Sequence, residues 1–410
     1  MTNEKRDKKF ILATNTVMQI VFCFFSLFFN IYVYEVAQDF NVVMLYTLTY
    51  VLTVWIFFTI IRKFLTQRAL KILYRLSFVL CIACTLLTFL ITKERLYLVF
   101  LIQVLYAITN LFYYMPSEIA AISKNRKSQI KKFNGLNTAV AVFASVLSPI
   151  LSGFIIDYVS YYVLFAIMST CAVISFILAC QVNITNGEVE HIKLKEFVNE
   201  IKKDKSVRYG YIAYGLKRFS QDGPIERILP ILLFLRTGFN HSVGLYSALA
   251  AFVGTVILLL YVYFCKKTTL ALWIVTILQF ISSILIIISG SLVCFFIYYF
   301  VKHWTTKIIT NEATSGVFLL LDHTHLKKYT VEHYYIINTF SNGSLVIACI
   351  LSLLIYNFLH NVISISIFLA LASFCQLIST FLMIKSNNLL KNIAEFDESK
   401  QSTDQSNNND

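Results

Sequence analysis

Residues 209–235 read YGYIAYGLKRFSQDGPIERILPILLFL. Their length and apolar content are those of a membrane span, since about 20 apolar residues cross a bilayer as a helix. Yet Arg218, Asp222 and Glu226 stand four residues apart in the middle of it. A charge at bilayer depth costs roughly 2.5–3.5 kcal/mol on insertion scales, so such residues face a protein interior or a water-filled cavity. At about 100° per residue, the three lie within about 80° of one another on one helix face. Gln221-Asp222-Gly223-Pro224 is also a turn sequence, and Pro224 and Pro230 remove backbone donors. Residues 225–235 are too short to span alone, so the stretch is either one kinked helix or two half-helices. Discontinuous helices at the midplane point to a binding site for something polar.

Outward from this stretch the chain is 58% hydrophobic and 14% charged, a composition for an all-α polytopic membrane protein. Further apolar runs occupy residues 10–33, 42–61, 72–91, 96–115, 136–156 and 161–182 in the first half. Those of the second half are 243–264, 270–289, 292–309, 334–356 and 362–384, so twelve transmembrane helices are expected in all. The run 292–309 is the least regular, interrupted by Lys302, His303 and Lys307. Segments 4–9, 62–71, 124–132, 193–208, 266–267 and 327–328 are basic, while 35–41, 157–160, 236–242 and 357–361 carry little positive charge. Lys93 and Arg95 are the mild exception. The positive-inside rule then places both termini in the cytoplasm of a multi-pass cell-membrane protein. The net charge of +13 reflects these loops facing an anionic leaflet, with no need for nucleic acid.

The first apolar run exceeds the 7–15 residues of a signal-peptide core and lacks a small-residue cleavage site. The nine cysteines are scattered without a CxxC pair, which reads as buried small apolar residues. Asp322, His323, His325 and His333 form the one metal-like grouping, read as a solvated loop; no metal or other cofactor is expected.

A shift of about 200 residues brings short matches into line. Leu45-Tyr46-Thr47 meets Leu245-Tyr246-Ser247, Ile108-Thr109-Asn110 meets Ile309-Thr310-Asn311, and Asn137-Thr138 meets Asn338-Thr339. All fall at equivalent places and in the same order, as a six-helix unit duplicated in parallel would give. The expected organisation is a cytoplasmic N-terminus (1–9), a first half (10–182), a cytoplasmic linker (183–206), a second half (207–384) and a disordered cytoplasmic tail (385–410). Within the linker, Leu194, Phe197, Val198 and Ile201 have helical spacing, suggesting an amphipathic helix on the inner membrane surface.

Twelve spans, a six-plus-six repeat and a cytoplasmic central segment resemble the major facilitator superfamily. Ser148-Pro149-Ile150-Leu151-Ser152-Gly153 resembles its antiporter motif in the fifth helix, Gly-Pro-x-x-Gly-Gly, with two glycines replaced by serine. The loop motif Gly-x-x-x-Asp-Arg-x-Gly-Arg-Lys survives in 62–71 only as positive charge. Gln103 occupies the position where proton-coupled members often carry a buried arginine. Arg218-Phe-Ser-Gln-Asp222-Gly223 is similar to a little-characterised branch found in low-GC bacteria.

The resemblance implies that the first, fourth, seventh and tenth helices line a cavity. Substrate-binding or coupling residues are then expected among Gln19 and Asn30 of the first, Gln103 and Asn110 of the fourth, Arg218, Asp222 and Glu226 of the seventh, and His303, Lys307 and Asn311 of the tenth. Asp222 and Glu226 are the carboxylates near the membrane centre, so one of them is the natural proton carrier. Asp157, Glu118, Glu35 and Asp39 sit at helix ends, where solvated or capping roles are expected. The chain therefore reads as a monomeric secondary transporter, not an enzyme, exporting a small molecule in exchange for protons. A nutrient importer and a non-transporting sensor or scaffold are the alternatives. A lipid-modifying enzyme is disfavoured by short basic loops without paired acids. ATP-driven pumping is disfavoured because no Gly-x-x-x-x-Gly-Lys-Ser/Thr run occurs.

Overall fold

In the computed structural model, residues 3–123, 127–182, 193–265, 268–323, 330–359 and 362–407 are described. Helix is the regular structure among them, with no strand. The first half consists of α1 (Asn3–Ser26), α2 (Phe28–Ala37), α3 (Phe40–Ile61), α4 (Gln67–Leu87), α5 (Tyr97–Ser123), α6 (Lys127–Tyr158) and α7 (Tyr161–Cys180). After α8 (Leu194–Lys203), the second half follows as α9 (Lys205–Gln221), α10 (Pro224–Thr237), α11 (Asn240–Phe264), α12 (Thr268–Ser289), α13 (Leu292–His323), α14 (Thr330–Leu359) and α15 (Val362–Asn407).

Nine helices among the described residues are long and apolar enough to cross a membrane. The remaining expected spans are the ones with irregular sequence: the short apolar part of α6, the divided α9–α10 pair, and α13 with its internal charges. Outward faces carry large apolar side chains such as Ile56, Phe252, Ile274 and Phe381, a surface suited to lipid and not to water. Polar ends are tied by caps. Asp39 accepts from the Asn41 amide at 2.8 Å, Thr66 from Ala69 at 3.2 Å, and Ser160 from Val163 at 3.3 Å.

Packing repeats between the halves. In the first, α1 packs on α6 and α7, α3 on α5, and α4 on α5 and α7. In the second, α9 packs on α14 and α15, α11 on α13, and α12 on α13 and α15. The halves meet through two related pairs, α3 with α14 and α6 with α11, and through α10, which packs on α2 and α3. A backbone signature follows the same period: Gln38 and Gly238, 200 residues apart, both end a helix in the left-handed conformation, with φ of 54° and 76°. Each half thus opens with a broken helix, closed by the same type of turn.

Two expectations change. The apolar stripe of α8 covers protein, not the membrane surface: Phe197 and Ile201 pack with Val207, Tyr211, Ile336 and Ile337 of α9 and α14. The last helix runs on to Asn407, where a disordered tail from residue 385 was expected. Leu389, Leu390, Ile393 and Phe396 keep helical spacing there, without Pro or Gly to stop it. Ser386 also donates to the Ser206 carbonyl at 2.8 Å, tying the start of this extension to α9.

Candidate substrate cavity

The charged stretch resolves into two half-helices. Gly223, at φ 62°, joins them, and Pro224 begins α10 where its missing N–H is no loss. A side chain at Gly223 would be strained by φ and would meet Leu345 Cδ2 at 2.7 Å. The break frees the Gln221 carbonyl, which accepts from Lys302 Nζ of α13 at 2.9 Å. Ser220 on the preceding turn donates to Gln376 of α15. The first span breaks too, at Leu27 between α1 and α2. There Asn30 Nδ2 donates to the Ser26 carbonyl at 2.6 Å. On the 200-residue repeat the two breaks differ by four residues, about one helical turn.

Charges gather where these breaks face each other. Arg218 Nη1 lies 2.6 Å from Asp222 Oδ2, and Lys217 Nζ lies 3.8 Å from the same oxygen. Asp222 itself is 7% exposed. Glu226, on the next half-helix, is exposed to the cavity, and no hydrogen bond or ion pair within 4.0 Å closes on its carboxylate among the described residues. Arg227 reaches across to the first half: Nη1 donates to Asn30 Oδ1 at 3.0 Å and Nη2 to Gln103 Oε1 at 3.3 Å. Its guanidinium lies 5.2 Å from the Tyr46 ring centre and 5.4 Å from that of Tyr50. Tyr46 donates to Asn30 Oδ1 at 2.5 Å.

Around these groups is a cavity of about 630 Å³, the size of small-molecule sites. Of the residues singled out from sequence, Gln19, Asn110, Arg218, Asp222 and Glu226 line it. Asn110 there donates to the Tyr50 hydroxyl at 3.1 Å. Asn30 and Gln103 stand behind the wall, linked to it through Arg227.

The expected trio of α13 is not on the wall. His303 packs against Tyr299, ring centres 4.4 Å apart and planes tilted by 41°, and its Nδ1 lies 2.9 Å from the Tyr299 carbonyl. The Lys307 stem rests against Gly254 of α11, and Asn311 is half-buried away from the lining. Lys302, one position before His303 and about 100° around the helix, is the cation that α13 turns toward Gln221. Spans two and eleven supply the wall instead, with Thr47, Tyr50 and Val54 of α3 and Asn338, Ser341 and Asn342 of α14. The α14 stripe was legible as polar residues at i, i+3 and i+4 in an otherwise apolar span. Of the metal-like grouping, His333 is buried in the first turn of α14, its Nδ1 2.6 Å from the Tyr211 hydroxyl. The side chains of residues 118, 322, 323 and 325 lie outside the described residues.

The end of the bundle away from the basic loops is shut. A Cβ at Gly153 of α6 would lie 2.5 Å from the Asn240 carbonyl oxygen, and one at Gly244 of α11 would run into that of Pro149. Glycine at both positions lets the two backbones touch. Asp157 of α6 then accepts from the first amides of α11, and Tyr161 donates to Glu35 at 2.5 Å. At the opposite side the cavity wall reaches His333 and Tyr334 in the first turn of α14.

The Major Facilitator Superfamily profile matches residues 16–321, three quarters of the sequence, and the chain belongs to that superfamily. No curated protein matches it in sequence. Among solved structures it resembles a bacterial metal transporter, with TM-score 0.63 and 12% identity, over 94% of this chain and 99% of the other. It also resembles the nucleoside transporter NupG, with TM-score 0.66 and 9% identity, over 92% and 99%. At these identities the likeness is one of fold. The chain is a multi-pass membrane protein of a transport family.

Proposed function

We propose that the chain is a proton-coupled secondary transporter that exports a small organic molecule by alternating access. One observation carries this reading: Glu226 faces a closed-ended cavity between two repeated halves, with no hydrogen bond or ion pair within 4.0 Å on its carboxylate among the described residues. A carboxylate there is placed to take a proton in one state and release it in the other. Asp222 is the less suitable carrier, because Arg218 and Lys217 already engage it. Arg218, Gln19 and Asn110 are the substrate-facing polar groups in this reading. Export is supported by the antiporter-like residues Pro149 and Gly153, which sit where α6 meets α11. The metal and the nucleoside carried by the two structural relatives are not transferred here, because a shared fold does not set cargo.

The experiment is accumulation in inside-out membrane vesicles given the small-molecule pool of a cell extract, read by mass spectrometry. Gradient-dependent accumulation of at least one species supports proton-coupled export. Equal accumulation of every species with and without the proton gradient contradicts it.

A further inference from the structure

The four cations Lys217, Arg218, Arg227 and Lys302 surround the two carboxylates Asp222 and Glu226, a formal excess of two positive charges. Among the described residues Arg227 and Lys302 have no carboxylate within 4.0 Å, and of these two Arg227 lines the cavity. Arginine stays charged in proteins, and an ionised group removed from water normally has an opposite charge beside it. Arg227 is 7% exposed, yet its hydrogen-bond acceptors among the described residues are two neutral amide oxygens and its ring contacts two tyrosines. Asp222 is occupied by Arg218. Glu226 is the next residue back on the helix, turned about 100° away, with no ion pair to Arg227 within 4.0 Å.

An unmet hydrogen bond points the same way. Asn342 Nδ2, on a residue of the cavity wall, is a buried nitrogen without a partner among the described residues. An amide nitrogen donates, so the group that meets it has to be an acceptor. Buried polar groups are nearly always satisfied, so a bound state has to bring acceptors. Aromatic rings line the same cavity, from Phe22, Phe25, Tyr50, Tyr106 and Tyr114. Phe25 and Tyr106 are stacked with ring centres 4.5 Å apart.

We infer that the cargo is an organic anion with a planar aromatic body, its carboxylate or equivalent group held by Arg227 and the Asn342 amide, and its ring laid among the aromatic side chains of the same cavity. This rests on the transporter reading for its purpose but not for its test. Calorimetry on the full chain in detergent at neutral pH, with benzoate, benzylamine and benzyl alcohol, compares one ring with three charges. The expected result is binding of benzoate in preference to both others. Arg227→Gln should weaken benzoate binding at least about tenfold, the scale of a hydrogen bond to a charged group, and Arg227→Lys should weaken it less. Preference for benzylamine, or no preference by charge, overturns the inference, and so does unaltered benzoate binding in a folded Arg227→Gln. If Arg227→Gln fails to fold, the wild-type preference still decides. Benzoate binding in a chain that accumulates nothing in vesicles would instead contradict transport and leave the anion site standing.

Discussion

Asp157 of α6 and His241 of α11 form one of the links between the two halves of the molecule. Asp157 Oδ2 lies 2.7 Å from the His241 backbone nitrogen and 2.7 Å from its ring Nδ1. The other oxygen accepts from the Asn240 amide at 3.2 Å and from its side chain at 3.1 Å. A carboxylate of α6 is thus the N-terminal cap of α11, and the helix start favours its negative charge. Opening this end of the cavity requires those bonds to break.

Asp157→Asn tests that cap. The amide keeps the shape but gives up the charge, weakening bonds of about 1.5–3 kcal/mol each when charge-assisted. The shut state should lose ground to the opened one. Cys23 lines the cavity and reports it. Its modification by an impermeant maleimide added at the end carrying Asp157 should rise severalfold in the variant, as read by peptide mass spectrometry. Unaltered labelling would mean that the cap does not hold this end closed.

Glycine contacts supply a graded series. Gly244→Ala places a methyl against the Pro149 carbonyl, and overpacking of this kind costs typically about 1–3 kcal/mol. A methyl at Gly343 of α14 would enter open space, with nothing within 4 Å, so Gly343→Ala should be neutral or stabilising by up to about 1 kcal/mol. Thermal midpoints in detergent should fall for Gly244→Ala and hold or rise for Gly343→Ala. Equal midpoints for the two would show that α6 and α11 do not rely on that close approach.

Stability also separates the acceptors of Arg227 from the open cavity wall. Gln103→Leu removes one neutral acceptor from a buried cation, and leaving a buried charge unmatched costs up to about 3–5 kcal/mol. Gln19→Ala alters a wall residue that water can replace, and should stay within about 0.5 kcal/mol. The folded fraction after a heat challenge should drop in the first and hold in the second. A stable Gln103→Leu would mean that Asn30 and the tyrosine rings suffice for Arg227.

Much of this was legible in the residues. Arg218, Asp222 and Glu226 interrupt an apolar run, so their cavity position follows from the cost of charge in lipid. Gln221-Asp222-Gly223-Pro224 announced a break in the seventh span, whereas the break at Leu27 of the first has no Pro or Gly beside it and was not legible. The contribution of α13 was not legible, because His303, Lys307 and Asn311 share one face as plausibly as Lys302 and Thr306 share another, and only packing against α11 decides between them. Gln103 looked like a lost cation site when its own helix was read alone. The guanidinium of Arg227 arrives there from the other half, 124 residues away in sequence. A solvated or capping role was expected of Asp157, but that it caps α11 of the other half was out of reach for a similar reason, since a cap normally comes from the same chain segment.

Glu226 is the proposed carrier of the coupled proton. Inside-out vesicles bearing wild type, Glu226→Gln or Asp222→Asn, at matched protein level, test it most directly with the species accumulated by wild type. An amide keeps the size of the side chain but carries no exchangeable acid proton. Glu226→Gln should lose gradient-driven accumulation while still exchanging labelled for unlabelled cargo across the membrane. Asp222→Asn should be recovered in lower folded yield, because Arg218 and Lys217 lose their carboxylate. Gradient-driven accumulation at the wild-type rate in Glu226→Gln would contradict the account.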